Sequence, residues 1–281
     1  MIELNKKKYE NGDKIMKSPL EINLENEIYS MLDGKTLEIA KIIFNDEEIK
    51  SFQDYANIVS IKRLGYNDHG PVHMRKTVLN AVKMFNILTE AGIKTSLVKE
   101  DTGSVEDSRI GVLFASFFHD IGMSVGRENH EVSSAILSAQ LMDRILKDVF
   151  KNDYTRQVVI KGIALEGIMG HMTKYSVNSI EAGIILVADG CDMEKGRARI
   201  PMLINQESRV GDIHKYSSSA IEKVNIEKGT EKPIKISIEM SASVGFFQVE
   251  EVLFTKINAS SIKQYIELYA FVTGRDIKKY L

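Results

Sequence analysis

One stretch, RIGVLFASFFHDIG at residues 109–122, constrains this chain more than any other. From Ile110 to Phe118 it is apolar or small nearly all round the helical circle. That is the pattern of a helix buried on every side, at the centre of a helical body. It then ends on two polar groups, His119 and Asp120, and His130 follows ten residues later. Such an end is either an ordinary polar cap or a place where a metal ion is held.

The flanking segments extend the helical reading. Apolar residues recur at helical spacing from Pro19 to about Gly65, with breaks near Asp33-Gly34 and Asn45-Asp46. Residues 72–92 form an amphipathic helix on which Val72, Val78, Val82, Phe85 and Leu88 share a face. Pro71 suits its first turn and Gly92 its end. Residues 94–108 read as a polar loop, and helices are expected at about 130–150, 155–171 and 179–195. After about residue 225 the texture changes. PIKISIEM (233–240) has a strand period, FFQVEEVLFTKI (246–257) reads as a second strand, and SSIKQYIELYAFVTG (260–274) as a helix ending at Gly274. The expected architecture is therefore mainly α, a helical bundle over 1–224 with residues 1–18 as a loose arm. A small α+β subdomain of β-β-α order over 225–281 follows. Two strands leave edges that want partners, so a homodimer is expected.

Composition excludes several classes. A net charge of −2 on 281 residues gives no electrostatic case for a nucleic-acid polymer or a membrane surface. The longest apolar runs, such as AGIILVA at 182–188, fall far short of the roughly 20 residues that span a bilayer. The N-terminus has no apolar signal region, so a cytoplasmic protein is expected. Cys191 is the single cysteine, so no intramolecular disulfide can form.

The polar residues that resist a bland reading are His69, His73, His119, Asp120, His130, His171 and Asp189. Each is placed near a helix end or inside an otherwise apolar helix. A lone histidine at a helix end reads as a cap or surface group. Asp189, in AGIILVADG, is harder to dismiss, because an unpaired buried carboxylate is costly. It needs a cation, which can be a metal ion or a Lys or Arg partner. Imidazole and carboxylate together are the ligand mix of hydrolytic metal centres. An Asp can also bridge two ions about 3.5–4 Å apart.

His73, then His119-Asp120 in HDIG, then Asp189 in ADG resembles the H…HD…D signature of the HD-domain metal-dependent phosphohydrolase superfamily. NDHGPVH before it and DMEKGRARIP after it are similar to prokaryotic predicted HD hydrolases. The resemblance covers roughly residues 55–200. It implies an all-α core with His73, His119, Asp120 and Asp189 as ligands of a first divalent ion and Asp120 bridging to a second. His130 and His171 would hold that second ion, with His130 alternatively a general acid or base. The metal can be Mn, Fe, Zn, Mg, Ni or Co. His69, four residues before His73, is similar in position to a proton donor of cyclic-nucleotide phosphodiesterases; otherwise it caps the helix. The implied reaction is hydrolysis of a phosphate ester or anhydride by a metal-bound hydroxide, with Asp120, His69 and His130 as the catalytic candidates. The expected substrate is a nucleotide or other small phosphorylated metabolite. Arg127, Lys174, Arg197 and Arg199 are the phosphate-contact candidates, beside Arg75 and Lys76, and Asp192 is a candidate for fixing an arginine. Two other readings compete: an HD-fold di-iron oxygenase using six similar ligands, and a non-catalytic ligand-binding sensor.

Overall fold

The computed structural model describes residues 17–195, 213–274 and 277–281. Arg197, Arg199 and nearly all of the expected arm therefore lie outside the described residues. Three helices come first: α1 Pro19–Ser30, α2 Gly34–Phe44 and α3 Glu47–Ile58. Their starts are set by local chemistry. Ser18 and Glu21 satisfy each other's backbone N–H groups in a capping box, and Asp46 accepts the Ile49 N–H at 3.0 Å. A π-helical turn, Val59–Arg63, carries α3 into the loop that holds His69.

The amphipathic segment folds as α4, Pro71–Glu90. It stops in a Schellman motif: Gly92 takes φ +77°, its N–H bonds the Thr89 carbonyl at 3.0 Å, and the Ile93 N–H bonds the Leu88 carbonyl at 3.0 Å. Segment 94–108 departs from the expected loop. It contains a short helix, α5 Ser96–Lys99, and the first turn of α6, Val105–Phe118. Ser104 and Asp107 form a second capping box there. The buried Glu181 carboxylate accepts the N–H groups of Ser96 and Leu97 and the Ser108 hydroxyl.

Every residue of α6 from Ile110 to Phe118 is buried, as its all-round apolar pattern requires. It packs against α4 and against two later helices, α8 Tyr154–Gly170 and α9 Ile180–Gly190. Between α6 and α8 lie a 3₁₀ turn, Ile121–Ser124, and the long helix α7, His130–Phe150. A short α10, Ile213–Ser219, precedes the sheet.

The C-terminal unit corrects the sequence reading. It has four strands: β1 Ile221–Lys228, β2 Ile234–Met240, β3 Ile266–Val272 and β4 Lys278–Lys279. They lie in the order β1-β2-β3-β4. Segment 246–257 is helical instead of a strand, a π-helical turn Gln248–Phe254 running into α11, Thr255–Ala259. Segment 260–274 holds a 3₁₀ turn, Lys263–Tyr265, and the strand β3 instead of a helix. The cause is topological. β2 and β3 pair in parallel, and a parallel pair needs a crossover, usually helical, that a hairpin cannot supply. The strand period itself was sound on β2, where Ile234, Ile236, Ile238 and Met240 are all fully buried. The boundary expected at 224/225 falls inside β1. One apolar cluster contains Phe114 and Ile184 of the helices together with Ile236, Leu253 and Leu268 of the C-terminal unit. The molecule is mainly α with a small four-stranded sheet, and among the described residues no helix is long and apolar enough to cross a membrane.

Candidate metal centre

His73 sits in the first turn of α4, just after Gly70 and Pro71. His119 caps the C-terminal end of α6, and Asp120 follows at the turn. His130 opens α7, His171 closes α8, and Asp189 lies one residue before the end of α9. All six side chains are buried, at 0–6% exposure. Five helices thus bring their ends to one place, and two local devices make this possible. Asn129 adopts φ +52°, a left-handed conformation that asparagine tolerates, and so turns the chain into α7 at His130. Gly122 of HDIG lies against the start of α7: a Cβ there would sit 2.1 Å from the His130 carbonyl and 2.4 Å from the Ser134 nitrogen.

Each of the four histidines commits Nδ1 away from the centre. His73 Nδ1 donates to Asp192 Oδ2 at 2.6 Å, His119 to the Ser116 carbonyl at 2.9 Å, His130 to the Arg127 carbonyl at 3.0 Å and His171 to the Ile168 carbonyl at 2.7 Å. In a neutral ring this leaves a lone pair on Nε2. The Nε2 atoms meet in pairs: His73 faces His119 at 3.0 Å, and His130 faces His171 at 3.1 Å. Two lone pairs at that distance repel unless a cation or a proton lies between them.

Asp120 divides its oxygens between the pairs. Oδ2 lies 3.1 Å from His73 Nε2 and 3.3 Å from His119 Nε2, while Oδ1 lies 3.2 Å from His130 Nε2 and 3.5 Å from His171 Nε2. Asp189 Oδ1 joins the first pair, 3.3 Å from His73 and 3.6 Å from His119. Ligand atoms lie within 4.8 Å of one another in each of the sets His73, His119, Asp189 and His119, Asp120, His171. The donor set fits divalent cations, since imidazole nitrogens held by outer hydrogen bonds are the usual form of a metal-ligating histidine.

The electrostatics agree with this geometry. Burial pushes the His171 imidazole down to about 4, so it is neutral and available as a ligand. Burial also disfavours charge on His119, but Asp120 and Asp189 outweigh it and raise that group. Burial pushes Asp120 and Asp189 up; the imidazoles beside Asp120, His119 first, and Lys256 beside Asp189 overcome it and hold both carboxyls well below the usual range.

Of the other expected residues, His69 is buried and lies edge-on to His73, ring centroids 5.7 Å apart. Its Nδ1 donates to the Asn67 carbonyl at 2.7 Å and lies 2.9 Å from Ser60 Oγ. Arg127 rests over the Tyr66 ring at 5.7 Å, and its carbonyl orients His130. Lys174 is exposed and reaches Asn129 and, at 3.3 Å, Glu131 beside His130. One reading needs correction. Arg75 is no phosphate contact: it is 1% exposed, paired with Glu25 at 2.8 Å and placed over the rings of Phe44 and Phe117. Asp192 accepts from His73 Nδ1, and the arginines Arg197 and Arg199 weighed as its partners lie outside the described residues.

Sequence reasoning missed two groups. Glu131 is buried beside His130, 3.5 Å from its Nδ1. It is adjacent in sequence to the candidate ligand His130, which was the available signal. Lys256, on α11, pairs with Asp189 Oδ2 and is nine-tenths buried. It lay in a segment read as a strand, so nothing placed it near the centre. Of the partners weighed for Asp189, the structure shows the lysine, on Oδ2, while Oδ1 faces the histidine cluster.

The uncharacterized protein MJ1020 of Methanocaldococcus jannaschii is 40% identical to this chain over 250 residues, which is 89% of the chain and 94% of that protein. No family model and no solved structure matches the chain.

Proposed function

The chain belongs to the family of MJ1020, and we propose that it is a metal-dependent hydrolase of phosphate esters or anhydrides built on an HD-type helical bundle. The substrate class we infer is a nucleotide or other small phosphorylated metabolite. One observation carries this reading: Asp120 turns one oxygen to each of two histidine pairs whose Nε2 atoms otherwise oppose each other. A carboxylate so placed would serve two cations, one beside each pair. When bound, two divalent ions supply Lewis acidity at a phosphoryl group and bring the pKa of a coordinated water towards neutrality.

The protein's own residues would do the rest. Asp120 sets the spacing of the two positions. His130 aims Nε2 at Asp120 and His171, which favours a ligand over an acid or base. His69, held through Nδ1 on the Asn67 carbonyl, would as an imidazolium be the proton donor to the leaving oxygen. Arg127 and Lys174 flank the His130 side, and Arg197 and Arg199 follow the last ligand helix in sequence. These four are the groups we assign to phosphate oxygens.

The test is elemental mass spectrometry of the purified protein beside Asp120→Ala, followed by hydrolysis assays on a nucleotide panel. The expected result is about two divalent ions per chain, both depleted in the variant, with hydrolysis lost alongside them. A wild-type protein that takes up no metal even after soaking with Mn and Fe overturns the reading. The same six ligands would suit a di-iron oxygenase, so iron in the sample calls for oxygen-uptake assays in parallel.

A further inference from the structure

The metal-ligand helix α9 carries two glycines on one face, Gly183 and Gly190. Both are landing points for the C-terminal unit. A Cβ on Gly183 would sit 2.2 Å from Ser261 Oγ and 3.2 Å from the Ile262 nitrogen. A Cβ on Gly190 would sit 3.1 Å from Lys256 Cδ and 3.2 Å from Leu253 Cδ1. Hydrogen bonds seal the seam: Ser260 Oγ donates to the Gly183 carbonyl at 2.9 Å and Ser261 Oγ to the Ser179 carbonyl at 2.6 Å. The stem of Lys256 thus runs over Gly190, and its ammonium ends on Asp189 Oδ2.

The two carboxylates of the centre are used differently. Asp120 directs both oxygens at histidines. Asp189 directs only Oδ1 there, because Lys256 holds Oδ2. We propose that Lys256 is a positioning residue of the first metal position, through which the C-terminal unit restricts Asp189 to a single ligating oxygen. The proposal rests on the metal reading above. The C-terminal unit is then part of the site and not a detachable appendage. Its lysine does what outer-shell partners of ligating carboxylates do, fixing orientation by a charge-assisted hydrogen bond.

The experiment titrates the metal-free full chain with Mn²⁺ and with Zn²⁺, comparing wild type, Lys256→Met, Lys256→Arg, Asp189→Asn and the Lys256→Met/Asp189→Asn double variant. Methionine keeps the stem over Gly190 and removes the ammonium. We expect Lys256→Met to weaken one of two ions by roughly 10–100-fold and leave the other unchanged. Lys256→Arg should recover part of the loss. The double variant should bind no more weakly than Asp189→Asn, since Lys256 acts through Asp189. Damage to the fold would weaken both ions, so selectivity separates the two causes. Should Lys256→Met unfold, Gly190→Ala shifts the same stem by a few tenths of an ångström without removing charge, and the same selective loss is expected. Two ions bound by the lysine variant at unchanged or greater affinity overturn the role of Lys256 and leave the metal reading intact. A wild-type chain that binds neither ion overturns both.

Discussion

Arg75 stands two residues after His73, where a guanidinium looks available to a substrate phosphate. Its position on α4 turns it the other way, into a buried group with Glu25, Glu21 at 3.6 Å and Gln53 at 3.3 Å. Lys50 and Lys17 complete the charge balance. Removing the one arginine would leave Glu25 buried with less compensation, and breaking a buried pair from one side is far costlier than replacing both partners. Arg75→Met is therefore expected to lower stability by about 3–5 kcal/mol in denaturant unfolding. A loss under 1 kcal/mol would show that Glu21 and Glu25 do not depend on it. The residues of the centre itself were legible because their types are restrictive: histidine and aspartate inside apolar helices have few bland explanations. The role of Arg75 was not legible, since a charged residue on a helix carries no mark of which way it faces.

Helix ends do most of the positioning. Gly122 lets the 3₁₀ turn after Asp120 press against the backbone of α7, and its N–H bonds Ser134 Oγ at 2.8 Å. Gly122→Ala must push His130 away, at a cost of about 1–3 kcal/mol from overpacking. We expect the ion held by His130 and His171 to be weakened more than its neighbour, as read by metal titration. Away from the centre, Asp46 caps α3 and pairs with Arg144 at 2.8 Å. Burial pushes its carboxyl up, but the Arg144 guanidinium and the Ile49 N–H prevail and hold it below the ordinary aspartate value. A carboxyl with a lowered folded-state pKa stabilises the fold above its unfolded pKa of about 3.9, and that contribution disappears as pH falls through the folded value. Stability of the wild type should therefore decline below about pH 4 more steeply than that of Asp46→Asn. Parallel curves for the two proteins would remove Asp46 from the acid response. Element boundaries were readable wherever a cap or stop residue marked them, as at Pro71 and Gly92. The Ser104–Asp107 box was also in the sequence, but the polar character of 94–108 hid it.

At the scale of the whole molecule the C-terminal sheet joins the helical core, so a mutation in either is expected to destabilise one cooperative unit. Its free edges are charged. β1 carries Glu222, Lys223, Glu227 and Lys228, and β4 is two exposed lysines. Charge of that kind discourages edge-to-edge pairing. The homodimer expected from two bare strands thus has less to rest on, and size-exclusion chromatography with light scattering should give one chain of 31.6 kDa. A mass of two chains would show that another face pairs. The sequence alone determined the buried helix and the helical body around it, because periodicity is a local property, and its resemblance to HD proteins singled out the six groups that gather at the helix end. Only the tertiary structure decided which carboxylate oxygen faces which histidine, that β2 and β3 run parallel, and that Lys256 meets Asp189 across 67 residues of chain. Those outcomes depend on how separate elements dock, and no local pattern in a single chain records its partners in space.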